Sequence, residues 1–187
     1  MRYRSTRCDD GRTYSFEEAV LAGWARDGGM LLPVLPDSPV VSHNTLRAWA
    51  HLDYVGVCVE VFKLFAGDCV TEDALRALVS RAFQDFGDPA VVTLRPGGAG
   101  ALQHVHAAVA ELWHGPTLAF KDLGLTVLLL LLEEFLRRRG ERRTLLVGTS
   151  GDTGAVARPP TRPPRPRGRT DPHRHPSCLP PPQAAPP

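Results

Sequence analysis

The chain has almost no lysine: two residues, Lys63 and Lys121, against twenty arginines. Each lysine therefore stands out as a candidate for amine chemistry rather than as one of many surface charges. Cysteine is also scarce. Cys8, Cys58, Cys69 and Cys178 lie far apart with no CxxC pair, which leaves zinc-ribbon and thioredoxin-like readings without support and predicts no metal site. Dispersed thiols of this kind fit a reducing, cytoplasmic setting. Long apolar runs are missing: the longest, Val127 to Leu132, falls well short of the roughly 20 residues a membrane helix needs. The N-terminus has arginines but no apolar segment, so no secretory leader is expected. Nor is there a basic body surface. The net charge of +2 arises in residues 158–187, which hold six arginines and one aspartate, while residues 1–157 are slightly acidic. Nucleic-acid binding is therefore not expected, and no aromatics are interleaved with the tail arginines.

Proline is abundant, and twelve of its eighteen copies crowd into that same tail. With few large apolar groups, residues 158–187 are predicted to be a disordered Pro/Arg-rich tail. Pro160-Thr-Arg-Pro-Pro-Arg165 matches a PxxPxR pattern of the kind SH3 domains read, a match that so Pro-rich a segment produces by chance.

Before the tail the pattern is that of a folded α/β protein. Ser15 is placed to cap a helix over Phe16–Trp24, with Glu17 and Glu18 in its first turn and Asp27-Gly-Gly29 as its stop. Asn44 or Thr45 is placed to cap a helix through Trp49. A further helix is predicted from Val55 to Phe65, burying Val57, Val61, Leu64 and Phe65, with Lys63 on the surface. Thr71 should cap another, whose Leu75, Leu78, Val79, Ala82 and Phe83 follow helical spacing. Val91–Leu94 and Ala107–Trp113 read as strands around a glycine-rich loop, Arg95–Gly100, which lacks the lysine of a phosphate-binding turn. From Asp122 to Arg139 the chain reads as a buried helix, apolar on nearly every face, with Glu133 and Glu134 paired to Arg137 and Arg138 and Gly140 as its C-terminal cap. Thr144–Val147 then reads as a buried parallel strand, completing a βαβ unit whose carboxyl end leads into Gly148-Thr-Ser-Gly-Asp-Thr-Gly154.

Two stretches carry candidate chemistry. Lys121 opens a long helix, where the helix dipole and free N–H groups disfavour a positive charge, and Leu118, Ala119, Phe120 and Leu123 surround it in sequence. Such a setting suits a lysine that forms a Schiff base, with Asp122 partly offsetting it; a packed stem with the amine in water is the plainer alternative. The loop Gly148–Gly154 offers three hydroxyls, a carboxylate and backbone N–H groups suited to an anion, or simply a strand-to-helix turn. His114 is either an acid–base group or a partner for its own loop.

Trp113-His-Gly-Pro-Thr-Leu-Ala-Phe-Lys-Asp122 followed by Val147-Gly-Thr-Ser-Gly-Asp-Thr-Gly154 resembles the threonine synthase family, including its vertebrate threonine synthase-like branch. The opening Tyr3-Arg-Ser-Thr-Arg7, with Phe16, Gly23 and Asp27-Gly-Gly29, is similar to that family's N-terminal segment, although Cys8 stands where the family usually has glycine. The resemblance implies a pyridoxal 5'-phosphate enzyme of the tryptophan-synthase β-type fold (fold type II). It implies an N-terminal domain over 1–95 and the start of a cofactor-binding α/β domain over 96–157. Lys121 would form the internal aldimine; Ser150 and Asp152 would border the cofactor; Thr149, Ser150, Gly151, Asp152 and Thr153 would hold the substrate. The implied substrates are phosphorylated amino acids of the O-phosphohomoserine type, from which phosphate is eliminated, by a phospho-lyase or a threonine synthase. The family's cofactor-phosphate glycine loop has no counterpart here, so the chain is expected to hold about the first third of such an enzyme and to be inactive alone. A non-catalytic isoform that forms a homodimer or pairs with a longer copy, and an SH3-binding protein, are the alternatives.

Overall fold

A computed structural model of the chain describes residues 1–7, 11–37, 41–96 and 108–157. Most of the Arg95–Gly100 loop and the Pro/Arg-rich tail with its SH3-type motif lie outside the described residues.

Strand β1 (Tyr3–Ser5) pairs antiparallel with β2 (Leu31–Pro33), Arg4 opposite Leu32. Tyr3 also exchanges two backbone hydrogen bonds of 2.8 Å with Tyr14, and its hydroxyl donates to the Phe65 carbonyl at 3.0 Å. These bonds seat the N-terminal strand on the helices. Helix α1 (Phe16–Ala22) starts where the sequence predicts. Ser15 Oγ accepts from Glu18 N at 3.1 Å while the Glu18 carboxylate accepts from Ser15 N at 2.7 Å, a reciprocal capping box. The helix ends earlier than expected, at Gly23 (φ 69°), leaving Trp24 outside and exposed. Asp27-Gly-Gly29 is not its stop but shapes the turn into β2: the Asp27 carboxylate accepts from Gly29 N and from Ser5 Oγ, each at 2.8 Å.

Helix α2 (His43–Trp49) is capped by Ser42, not by Asn44 or Thr45, because the serine hydroxyl reaches Thr45 N. Helix α3 (Tyr54–Ala66) is capped by Asp53 and rests against α4 (Glu72–Phe83), whose Thr71 cap and buried Leu75, Val79, Ala82 and Phe83 match expectation. The buried face of α3 does not match. Gly56, Val59 and Ala66 are buried and Cys58 and Phe62 pack on the core, while Val61 is exposed and Val57 only half-buried. The helix is apolar on most sides, so spacing alone does not choose its face. The polar side settles it: Lys63 pairs with Glu60 at 3.0 Å and Glu72 at 2.7 Å in solvent.

Strand β3 (Thr93–Pro96) begins two residues later than expected, because Val91 turns through a positive φ of 63° and buries its side chain in the hydrophobic core. It pairs antiparallel with β4 (Ala108–Glu111), Thr93 opposite Glu111. The long helix α5 (Lys121–Arg139) packs on α1 and α4 and ends at Gly140 in the left-handed conformation. One face is buried, through Val127, Leu130, Leu131 and Phe135; Leu128 and Gly124 face out, so the helix is covered on one side rather than all round. Glu134 bonds Arg137 and Arg138 as expected, whereas Glu133 instead reaches across to Arg81 on α4 at 2.9 Å.

The largest departure follows α5. Residues 144–147 form no strand among the described residues: Leu145 is 56% and Leu146 90% exposed, and the expected parallel βαβ unit is not formed. A strand exists only through a neighbour's backbone, and the two sheets described are the antiparallel pairs β1–β2 and β3–β4. The short helix α6 (Asp152–Val156) then folds back on α5, with Val156 buried. No helix among the described residues is long and apolar enough to cross a membrane.

Candidate active site around Lys121

Lys121 is delivered by the loop between β4 and α5. The loop is tied at its start by Gly87 N donating to the His114 carbonyl at 2.7 Å. His114 therefore serves its loop through the backbone. Its buried Nε2 lies 3.3 Å from Glu111 Oε2 but is not aligned for a hydrogen bond. Leu118 N donates to the Gly115 carbonyl at 3.0 Å, and Leu118 adopts a φ of 63°, a region that costs an L-residue about 1–2 kcal/mol. That turn aims the chain into α5 with Lys121 as its first residue.

Asp122 holds the turn. It is 1% exposed, and its Oδ2 accepts from both Thr117 N and Thr117 Oγ1 at 2.9 Å. Its Oδ1 is buried without a partner among the described residues. Gly115 is required here: a Cβ on it would lie 2.5 Å from Asp122 Cβ and closer still to Oδ2. In sequence Asp122 reads as a charge beside Lys121. In the structure it turns inward, away from that role, and its grip on Thr117 depends on a leucine in a left-handed conformation, which the sequence does not signal.

The two stretches singled out in the sequence come together. Lys121 Nζ lies 3.3 Å from Asp152 Oδ2, thirty-one residues on, and 4.7 Å from the Phe120 ring centre. The packing of α6 on α5 makes this approach. The apolar enclosure suggested by Leu118 and Phe120 is not formed, since both side chains are largely exposed. Lys121 is 30% and Asp152 64% exposed, so the pair is screened and adds little stability. Thr149 Oγ1 accepts from Gly151 N at 3.1 Å, and Gly154 sits against the Thr149 methyl, closer than a side chain would allow. Ser150, Gly151 and Asp152 are exposed and Thr153 is half-buried, leaving their hydroxyls and carboxylate on an open edge beside the lysine.

These residues fit the amine-binding end of an aldehyde cofactor: a reachable primary amine, held by one carboxylate, facing a hydroxyl-bearing loop. No group of three or more metal-ligating side chains occurs among the described residues.

Residues 2–83 match the family described as the threonine synthase N terminus. The chain is 40% identical over 165 residues to the threonine synthase of Eremothecium gossypii, covering 83% of this chain and 31% of that protein. It is also 40% identical over 158 residues to human threonine synthase-like 2, covering 84% of this chain and 31% of that protein. The chain belongs to the threonine synthase family. Among solved structures, a threonine synthase from Brucella melitensis described as bound to pyridoxal phosphate superposes with a TM-score of 0.74 at 38% identity, over 84% of this chain and 32% of that one. The mixed helix-and-strand architecture agrees with these family relatives. The chain spans about a third of the length of the relatives it matches.

Proposed function

We propose that the chain carries the lysine end of a pyridoxal-phosphate site serving a threonine synthase-type reaction, phosphate elimination from an O-phosphohomoserine-type amino acid. The observation that carries this reading is the approach of Lys121 Nζ to Asp152 Oδ2 across thirty-one residues. It joins a lone helix-start lysine to the Gly148–Gly154 loop. Lys121 would hold the cofactor through its amine and would move protons at the substrate carbons. Asp152 holds the Lys121 amine at 3.3 Å and, with Ser150, would border the cofactor. Thr149, Ser150, Gly151, Asp152 and Thr153 form the edge that orients the substrate, through hydroxyl and backbone N–H donors toward its carboxylate. The cofactor, when bound, supplies the electron sink that makes the substrate carbon acidic.

The fold assignment that goes with this reading is type II, of the tryptophan-synthase β class, with residues 1–95 as an N-terminal domain and 96–157 as the beginning of the cofactor domain. Because the chain spans about a third of the relatives it matches, we also propose that the 187 residues alone bind the cofactor weakly and lack turnover. The test is a chimera in which residues 1–157 replace the matching segment of the Brucella melitensis enzyme, assayed for phosphate release from O-phosphohomoserine. Activity in the chimera that falls at least about a thousandfold in Lys121→Ala is expected. A chimera whose activity survives that substitution contradicts the assignment.

A second reading rests on Leu145 and Leu146, whose exposure leaves an apolar segment available to a longer family chain. Co-purification of the 187-residue chain with a full-length relative, lost on Leu146→Ser, supports it; elution as separate species opposes it.

A further inference from the structure

We propose that Asp122 is the positioning residue for Lys121, acting through the Gly115–Thr117 turn; this rests on the cofactor reading of Lys121. Three observations converge. A carboxylate 1% exposed is costly to bury unless it is bonded, and this one spends an oxygen on both donors of a single residue, Thr117. The approach is tight enough to exclude a side chain at Gly115. The turn so clamped includes Leu118 at a φ of 63°, a conformation that persists only when its surroundings impose it. The clamp lies in the first turn of α5, where the helix dipole favours the carboxylate and where Phe120 contributes no side-chain cap. Lys121 adjoins Asp122 and follows the strained turn directly, so fixing 117 to 122 fixes the direction from which the amine meets Asp152. Asp122 itself points inward and has no contact with Lys121 Nζ among its hydrogen bonds, so it acts through the turn rather than on the reacting atoms.

The experiment uses the full 187-residue chain and three variants, Asp122→Ala, Asp122→Asn and the milder Thr117→Val, each checked for fold by circular dichroism at low temperature. Two quantities are read: hydrogen exchange of the Thr117 amide, and the partition of borohydride-trapped pyridoxal phosphate between Lys121 and Lys63. Asp122→Ala is expected to speed Thr117 exchange about tenfold and to lower the Lys121-to-Lys63 ratio about tenfold, with the Lys63 rate unchanged. Asn keeps an oxygen able to accept both Thr117 bonds, so Asp122→Asn is expected to restore both readings. Thr117→Val loses the hydroxyl bond alone and should fall between. A folded Asp122→Ala chain that keeps wild-type exchange and wild-type partition overturns the proposal, since a purely structural aspartate would leave the partition of a folded chain unmoved. If the wild-type chain shows no preference for Lys121, the cofactor reading fails; a Thr117 amide whose exchange is unmoved by Asp122→Ala overturns the clamp itself.

Discussion

Phe135→Ala tests whether α5 is fastened as described. Phe135 is fully buried and meets Phe16 edge-on, with ring centres 6.1 Å apart and planes at 83°, joining the C-terminal half of α5 to α1. A buried phenylalanine removes about 150–250 Å² from water, which at about 25 cal/mol per Å² corresponds to about 4–6 kcal/mol as an upper bound. The alanine left behind retains part of that, and partial collapse of the site recovers more, so a loss of about 3–5 kcal/mol is expected. Against a domain stability of about 5–15 kcal/mol this is a large share. Urea unfolding followed by circular dichroism reads it directly: with an m-value near 2 kcal/mol per molar, the midpoint should drop by about 2 M. Leu128→Ala, on the same helix but 37% exposed, is the control and should cost less than about 1 kcal/mol. Equal, small losses at both positions would refute the packing of this face of α5.

Two further outcomes follow from local geometry. Ser15→Ala removes the hydroxyl half of the capping box and should cost about 1 kcal/mol in the same unfolding experiment, and an unchanged midpoint would mean the box is absent in solution. Burial raises Tyr54 to about 12, with a further push from Cys58, and raises Cys58 to about 11 against the opposing hydrogen bond with Tyr54, so each protonated form is favoured in the fold. Raised acids add stability that is complete below their unfolded values, near 9 for the thiol and 10 for the phenol, and lost as pH climbs through the folded ones. Unfolding midpoints should therefore fall between pH 9 and about 11, and Cys58→Ser should flatten the lower part of that decline; a flat profile would contradict the packing of this half-buried pair on the core.

What the sequence reveals and what it conceals divide along the range of the interactions. Ser15, Thr71 and Gly140 are legible because a cap is decided within four residues. Lys121 is legible because a lone lysine at a helix start is conspicuous, and its meeting with Asp152 follows from α6 folding back on α5. Residues 144–147 are misread because apolar β-branched composition announces strand propensity, whereas a strand requires a partner that the described residues do not provide. The face of α3 is misread because Gly56, buried in the first turn, has no side chain to mark the contact and a second apolar stripe competes with the true one. Asp122 is overlooked for a similar reason. Its partner is chosen by the left-handed turn at Leu118, where glycine would signal the conformation and leucine does not.

Borohydride trapping asks whether Lys121 is the cofactor lysine of a threonine synthase-family site. The wild-type chain is incubated with pyridoxal phosphate, reduced with borohydride, digested and analysed by mass spectrometry. Lys63 serves as the internal control, a surface lysine held between Glu60 and Glu72. Label is expected on Lys121 in about tenfold preference over Lys63, diminished in Asp152→Asn. Label divided evenly between the two lysines, or favouring Lys63, would contradict it.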